Sequence, residues 1–218
     1  DFMYMNNGDG TFSDVVKETT NQTSFYGMGV DIADFNNDSY LDYIQVDMDA
    51  KDNRRSKANM ASMNPDLFWS TVNYGFHYQY MHNTLQLNRR IQGDKPFFSN
   101  ISRLSGISST DWSWGPLLAD LDNDGWKDLF ISNGIRREIN HRDFFNDIKL
   151  RPMSSDSLLY YTEQMPSEAI ANFTFQNNSD LTFTDVSESW GLDQKNFSNG
   201  ATYACLLYTS PSPRDFTE

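Results

Sequence analysis

Short alternations of apolar and polar residues, broken by turns rich in Asn, Asp, Gly and Ser, recur along the chain. M-Y-M-N-N (3–7) and T-F-S-D-V (11–15) flank G-D-G, the pattern of two strands joined by a hairpin turn. G-V-D-I-A-D (29–34) alternates with period two. L-D-Y-I-Q-V (41–46) and D-L-F-I-S-N (128–133) are rich in β-branched and aromatic residues, so all three predict strands. Two stretches break the rhythm. Residues 51–80 hold S-K-A-N-M-A-S-M-N-P-D-L-F-W, which predicts helix before Pro65. Residues 136–170 hold R-R-E-I-N-H-R-D-F-F-N-D-I and S-D-S-L-L-Y-Y-T-E-Q-M, which predict helical pieces broken at Pro152 and Pro166.

The alternating segments repeat. T-F-S-D-V (11–15), F-F-S-N-I (97–101) and T-F-T-D-V (182–186) share one motif, and their anchors Phe12, Phe98 and Phe183 lie 86 and 85 residues apart. Fourteen residues past each anchor stand Tyr26, Trp112 and Phe197; seventeen past stand Gly29, Gly115 and Gly200. Twenty-one past stand Ala33, Ala119 and Ala204, and the next residues are Asp34, Asp120 and Cys205. Upstream, M-Y-M-N-N (3–7), L-Q-L-N (85–88) and F-Q-N-N (175–178) read as one preceding strand. A repeat of short strands separated by turns is the signature of a quasi-periodic β architecture.

Two of the repeats carry an acidic loop. In D-F-N-N-D-S-Y-L-D, Asp34, Asn36, Asp38 and Asp42 hold positions 1, 3, 5 and 9; in D-L-D-N-D-G-W-K-D the same positions are Asp120, Asp122, Asp124 and Asp128. Alternate residues of a tight loop point their oxygens at one centre, and position 7, Tyr40 or Trp126, can add a backbone carbonyl. An all-oxygen shell of this kind suits Ca2+; magnesium prefers a stricter octahedron, and zinc favours His or Cys, which are absent nearby. An EF-hand would place a bidentate Glu at position 12, where Gln45 and Ile131 stand, between helices rather than strands. An acidic turn held only by Asx hydrogen bonds is the metal-free alternative. The second loop has four carboxylates and Gly125 at position 6; the first has three and Ser39 there, so the Asp120 site is expected to bind more tightly.

N-N-G-D-G-T-F-S-D-V, the A-D-x-[DN]-x-D-x-x-x-D loops, and the S-G-I (105–107) and W-G-L (190–192) elements together resemble the FG-GAP/VCBS repeats of integrin-α-type β-propellers. The insertion A-N-M-A-S-M-N-P-D-L-F-W resembles secreted bacterial proteins that carry such repeats, often with an ASPIC/UnbV-type domain. The resemblance implies an all-β fold: a partial propeller of two to three blades with helical insertions. It implies Asp34, Asn36, Asp38, Asp42, Asp120, Asp122, Asp124 and Asp128 as calcium ligands, an extracellular or cell-surface location, and a non-catalytic role in adhesion or ligand binding. Ser39 and Thr20 depart from the family's glycines. The expected organisation is a first repeat (1–50), an insertion (51–84), a second repeat (85–135), an insertion (136–171), a truncated third repeat (172–204) and a tail (205–218).

That tail breaks the register. Where a third acidic loop is due, the chain reads C-L-L-Y-T-S-P-S-P-R-D (205–215), which resembles an in-frame translation of a sequencing-library adapter. The tail is therefore expected to be non-native, and Cys205, the one cysteine, to carry no function. A chain opening at Asp1 also reads as a piece of a longer one.

Net charge is −13 over 218 residues, which argues against nucleic acid as a partner. No apolar run reaches the ~20 residues a spanning helix needs. No H-E-x-x-H, G-x-S-x-G or G-x-G-x-x-G motif occurs, so no enzyme is expected. His77, His82 and His141 are expected to pack or to face solvent, and Trp112 and Trp114 to lie in a blade core. Arg54-Arg55 and Arg136-Arg137 are expected to pair with acidic neighbours or to hold a partner. The aromatic run Y-G-F-H-Y-Q-Y (74–80) supports an alternative, carbohydrate binding or processing through the insertions.

Overall fold

The computed structural model describes residues 1–60, 63–92, 94–151 and 155–204; Pro152 and the tail from Cys205 lie outside them. The chain opens with a hairpin, β1 (Tyr4–Asn6) and β2 (Phe12–Asp14), then one helical turn, α1 (Val16–Thr19), and a short strand, β3 (Thr23–Ser24). A second hairpin follows, β4 (Gly29–Ala33) and β5 (Asp42–Val46), then β6 (Met48–Asp49). The first insertion supplies α2 (Asn53–Ala58), α3 (Pro65–Asn73) and β7 (Gln79–Tyr80), which pairs in parallel with β3. The chain returns as β8 (Thr84–Gln92) and β9 (Lys95–Asn100). β10 (Asp111–Ala119) and β11 (Asp128–Asn133) start the next sheet. The second insertion supplies α4 (Arg142–Lys149), α5 (Ser155–Glu163) and β12 (Ile170–Ala171). β13 (Phe173–Asn177) and β14 (Phe183–Asp185) complete that sheet, and β15 (Lys195–Asn196) pairs with β12.

Two antiparallel sheets result: the four strands β4-β5-β8-β9, and the four strands β10-β11-β13-β14 with the two-residue β6 added along the edge of β10. These are blades of a partial propeller, and the β1–β2 hairpin matches the outer pair of another. The fold is thus mostly β with helical insertions, as the sequence pattern predicts. Each insertion leaves the second strand of its blade and returns to the third. The sequence repeat is out of step with the blade: each repeat joins the outer hairpin of one blade to the inner hairpin of the next.

The main core lies where the blades face each other. Phe35, Ile44, Val46, Leu85 and Leu87 of the first pack with Leu118, Leu129, Ile131, Phe175 and Phe183 of the second. Along β5 the alternation is strict, with Asp42, Ile44 and Val46 buried. Burying each large apolar side chain contributes about 1.5–3 kcal/mol. A smaller cluster of Met48, Ala50, Met60 and Trp112, with Trp114 against it, fastens the first insertion to β10.

Two sequence expectations shift. Pro65 begins a helix as well as following one: Asn64 Oδ1 accepts from Asp66 N at 2.9 Å and Leu67 N at 3.2 Å, and proline fits the first helical position because no N–H is needed there. The third strands align one residue differently from the motif comparison. Tyr43 pairs with Gln86 and Leu129 with Phe175, so Gln86 matches Phe175 and Asn88 matches Asn177. The cause is the irregular pairing of β8 with β9 between Asn88 and Ile91, which puts extra residues into that hairpin.

Candidate metal centre

Both acidic loops join the two inner strands of a blade, β4 to β5 and β10 to β11, so each is a strand–loop–strand element. Their internal hydrogen bonds are the same residue for residue. Asp34 Oδ1 accepts from Asp38 N at 3.0 Å and Asp34 Oδ2 from Ser39 N at 2.8 Å; Asp120 accepts likewise from Asp124 N at 3.1 Å and Gly125 N at 3.0 Å. Asp38 Oδ1 accepts from Tyr40 N at 3.0 Å, and Asp124 Oδ1 from Trp126 N at 2.8 Å. Position 6 takes a left-handed backbone in both loops, with φ 92° at Gly125 and 71° at Ser39. Serine therefore keeps the loop geometry but bears the Cβ strain that glycine avoids. The other departure does change local structure: Thr20 is extended at φ −134°, whereas its counterparts Gly106 and Gly191 have φ 79° and 72°.

The loop side chains converge. Asp120, Asp122 and Asp124 each place a carboxylate oxygen within 4.8 Å of the others. In the first loop Asn36 Oδ1 lies 3.0 Å from Asp34 Oδ1 and 3.2 Å from Asp38 Oδ1. Three oxygens so placed repel each other unless a cation lies among them or the amide turns over to present its NH2. Turning it would forfeit the 3.3 Å bond that Asn36 Oδ1 accepts from Asp38 N. At the same position of the second loop stands Asp122, which has no amide to turn. The donor set is oxygen only and suits a hard divalent cation.

Asp42 and Asp128 sit differently. Both are fully buried beneath their loops, with both carboxylate oxygens accepting from backbone. Asp42 takes Asn88 N at 2.7 Å and Phe35 N at 3.4 Å; Asp128 takes Asn177 N and Leu121 N, both at 3.0 Å. Burial pushes the Asp42 carboxyl up to about 6, against those hydrogen bonds, and the charges of Asp38 and Asp34 push the same way. Burial likewise raises Asp128, aided by Asp122 and Asp124. A cation in the loop would reverse the like-charge part of this push.

Sequence reasoning found the loop carboxylates but gave no role to the asparagines of the third strand. Asn88 Nδ2 donates to Leu41 O at 3.0 Å, and Asn177 Nδ2 to Lys127 O at 3.0 Å, both at loop position 8. Each asparagine thus clamps positions 8 and 9 with its side chain and backbone. The available signal was an Asn recurring in M-Y-M-N-N, L-Q-L-N and F-Q-N-N, at Asn6, Asn88 and Asn177, each paired with its Phe anchor. In the second blade Gln176 Nε2 also donates to Asp122 Oδ2 at 2.7 Å.

The other candidate residues fall to structural roles. His77 Nε2 lies 3.1 Å from Thr20 Oγ1 and 3.0 Å from Thr20 O, His82 is buried 3.2 Å from Asn100 Nδ2, and His141 caps α4. Burial lowers the pKa of His77 and His82. Arg54 and Arg55 pair with acids of the second insertion and β10, while Arg137 donates to Met165 O at 3.2 Å. Of the aromatic run, Tyr74, Phe76 and Tyr78 stay exposed.

Residues 1–44 match the model of the FG-GAP-like repeat. The match runs from the β1–β2 hairpin through the first acidic loop into β5, the same phase as the repeat read from the sequence. A comparison with curated proteins finds no match. Among the described residues no helix is long and apolar enough to cross a membrane.

Proposed function

We propose that the chain is a calcium-binding propeller segment of a secreted or cell-surface protein, serving adhesion or ligand binding rather than catalysis. The supporting observation is the convergence of Asp120, Asp122 and Asp124; in the first loop the Asn36 amide sits between Asp34 Oδ1 and Asp38 Oδ1. Calcium bound there would supply the positive charge that offsets the loop carboxylates. The chain's own residues do the remaining work. Asp34 and Asp120 hold their loops closed through two backbone N–H groups each, and Tyr40 and Trp126 stand ready to add a carbonyl. Asp42 and Asp128 tie loop to third strand. The role assigned to the ion is structural: it joins the inner strands where like charges would otherwise push them apart. The extracellular reading is favoured by the repeat family and by the millimolar calcium at which such loops can remain filled. A lanthanide soak tests the assignment. An anomalous peak between the carboxylates of Asp120, Asp122 and Asp124 is expected, and its absence would remove the metal reading.

A second reading, glycan binding, is favoured by the exposed rings of the first insertion. Trp69, Tyr74, Phe76 and Tyr78 present apolar faces to solvent around α3 and its exit. A glycan array, with turnover measured on every hit, separates this reading from a protein ligand and a lectin from an enzyme.

A further inference from the structure

The two loops are joined to each other. Asn177, buried on β13 of the second blade, uses its amide twice: Nδ2 donates to Lys127 O at 3.0 Å in the second loop and to Phe35 O at 2.8 Å in the first. Its Oδ1 accepts from Ser179 N at 2.9 Å, which leaves the amide no freedom to turn. A second link lies at the surface, where Asn37 Nδ2 donates to Gly125 O at 3.1 Å. Gly125 O and Lys127 O are the carbonyls on either side of Trp126, the position-7 residue. Gly125 O is thus held by a donor of the first loop, and Lys127 O by the same buried amide that holds Phe35 O of the first loop. Asn88, the equivalent of Asn177 in the first blade, grips only its own loop among the described residues.

We propose that the two acidic loops take up cations as a coupled pair, with Asn177 and Asn37 carrying the coupling. The proposal rests on the calcium reading above. Ordering the first loop fixes Phe35 and Asn37, which in turn holds the carbonyls flanking Trp126 in place for the second cation. The second cation then meets a loop whose ordering is already complete, so the coupling is positive. Charge repulsion between the two bound ions opposes it. Both loops face solvent, where salt of about 0.15 M confines such repulsion to roughly 8 Å. The hydrogen bond of Asn177 is buried and is not screened in this way.

Terbium titration of the full chain tests the proposal, because position 7 is Trp126 in one loop and Tyr40 in the other. Emission sensitised by Trp126 follows the second loop. Disabling the first loop with Asp34→Asn and Asp38→Asn is expected to weaken terbium binding at the second by about five-fold or more. Disabling the second loop with Asp120→Asn and Asp124→Asn must weaken the first, read through Tyr40, by the same factor. That reciprocity would not follow from local damage. In Asn177→Ala the factor should fall, and with the Asn37 link removed as well the two loops should titrate independently. Asn37 is exposed with φ 56°, so Asn37→Gly removes the link without adding Cβ strain and should reduce the factor. Equal affinity of the second loop with and without the first, both still binding terbium, would overturn the coupling and leave the calcium reading intact. No sensitised emission from either loop would overturn both.

Discussion

Asp111 holds Arg55 in a fork, with Nε 2.6 Å from one carboxylate oxygen and Nη2 2.9 Å from the other. The remaining nitrogen of the guanidinium reaches Glu138 at 2.7 Å and Glu168 at 2.9 Å, and Arg54 completes the group on Glu168. One helix of the first insertion, the inner strand of the second blade and the second insertion therefore meet at a single buried cation. Replacing it strands Asp111 and Glu138 in the interior. Arg55→Met is expected to cost about 3–5 kcal/mol in urea unfolding, since an uncompensated buried charge is far worse than a paired one. Arg55→Lys should recover only part, because an ammonium cannot make the fork.

The position-6 residues predict a difference between the loops. Ser39 holds φ 71° and Gly125 φ 92°, so Ser39→Gly relieves strain and Gly125→Ser creates it. Each change is expected to move stability by about 1 kcal/mol, in opposite directions. Calcium titration of single-loop variants should also find the Asp120 loop tighter than the Asp34 loop, because it has one more carboxylate. A tighter Asp34 loop would contradict the reading of the ligand set.

Asp42 sets a pH dependence. Burial holds its carboxyl at about 6 in the fold, against 3.8 as the ordinary value. Between these values the folded chain binds the proton and the unfolded chain does not. Stability from this group is therefore full below the lower value, falls as pH rises through the window, and is flat above it. A cation in the loop favours the ionised form and acts in the opposite sense. The rise in Tm on adding calcium is expected to grow with pH across the window and level off above about pH 6. Melts with and without calcium, in the native chain and in Asp42→Asn, check this. The variant should lose the inflection.

The strands, the acidic loops and the insertions were legible because each has a local cause. Alternation, turn residues and oxygen spacing are properties of neighbours in the chain. The blade boundary was not legible, since the repeat straddles two blades and only strand pairing reveals that β8 belongs beside β5. The asparagine clamp escaped for a similar reason. Asn88 lies 47 residues from Leu41, and Asn177 lies 142 from Phe35, so nothing nearby in sequence reports the contact. Arg55 was expected to pair with acidic neighbours or to hold a partner; that its acids are Asp111, Glu138 and Glu168, from distant segments, only the fold shows.

The recurring glycines, Gly29, Gly115 and Gly200, were visible as a period; the structure supplies a reason for Gly29 and a weaker one for Gly115, while a Cβ at Gly200 would meet nothing within 4 Å. Gly29 opens β4, the innermost strand of the first blade, against β10 of the second. A Cβ built on it would lie 2.1 Å from Trp114 O and 3.0 Å from Pro116 Cδ. Two residues on, Asp31 Oδ2 accepts from Leu118 N at 2.7 Å, so the two inner strands are joined just where they crowd. A methyl at Gly29 meets a backbone carbonyl of β10 and cannot be accommodated by a side-chain rotation. The blades must separate, which strains that bond and opens the core between them. Gly29→Ala is expected to cost about 3 kcal/mol, the upper end for overpacking. Gly115→Ala should cost less, because its nearest neighbour, Ser132 Oγ at 3.2 Å, is a rotatable hydroxyl. Urea unfolding of the two variants ranks them, and equal stability would mean that the inner strands do not pack this closely in solution.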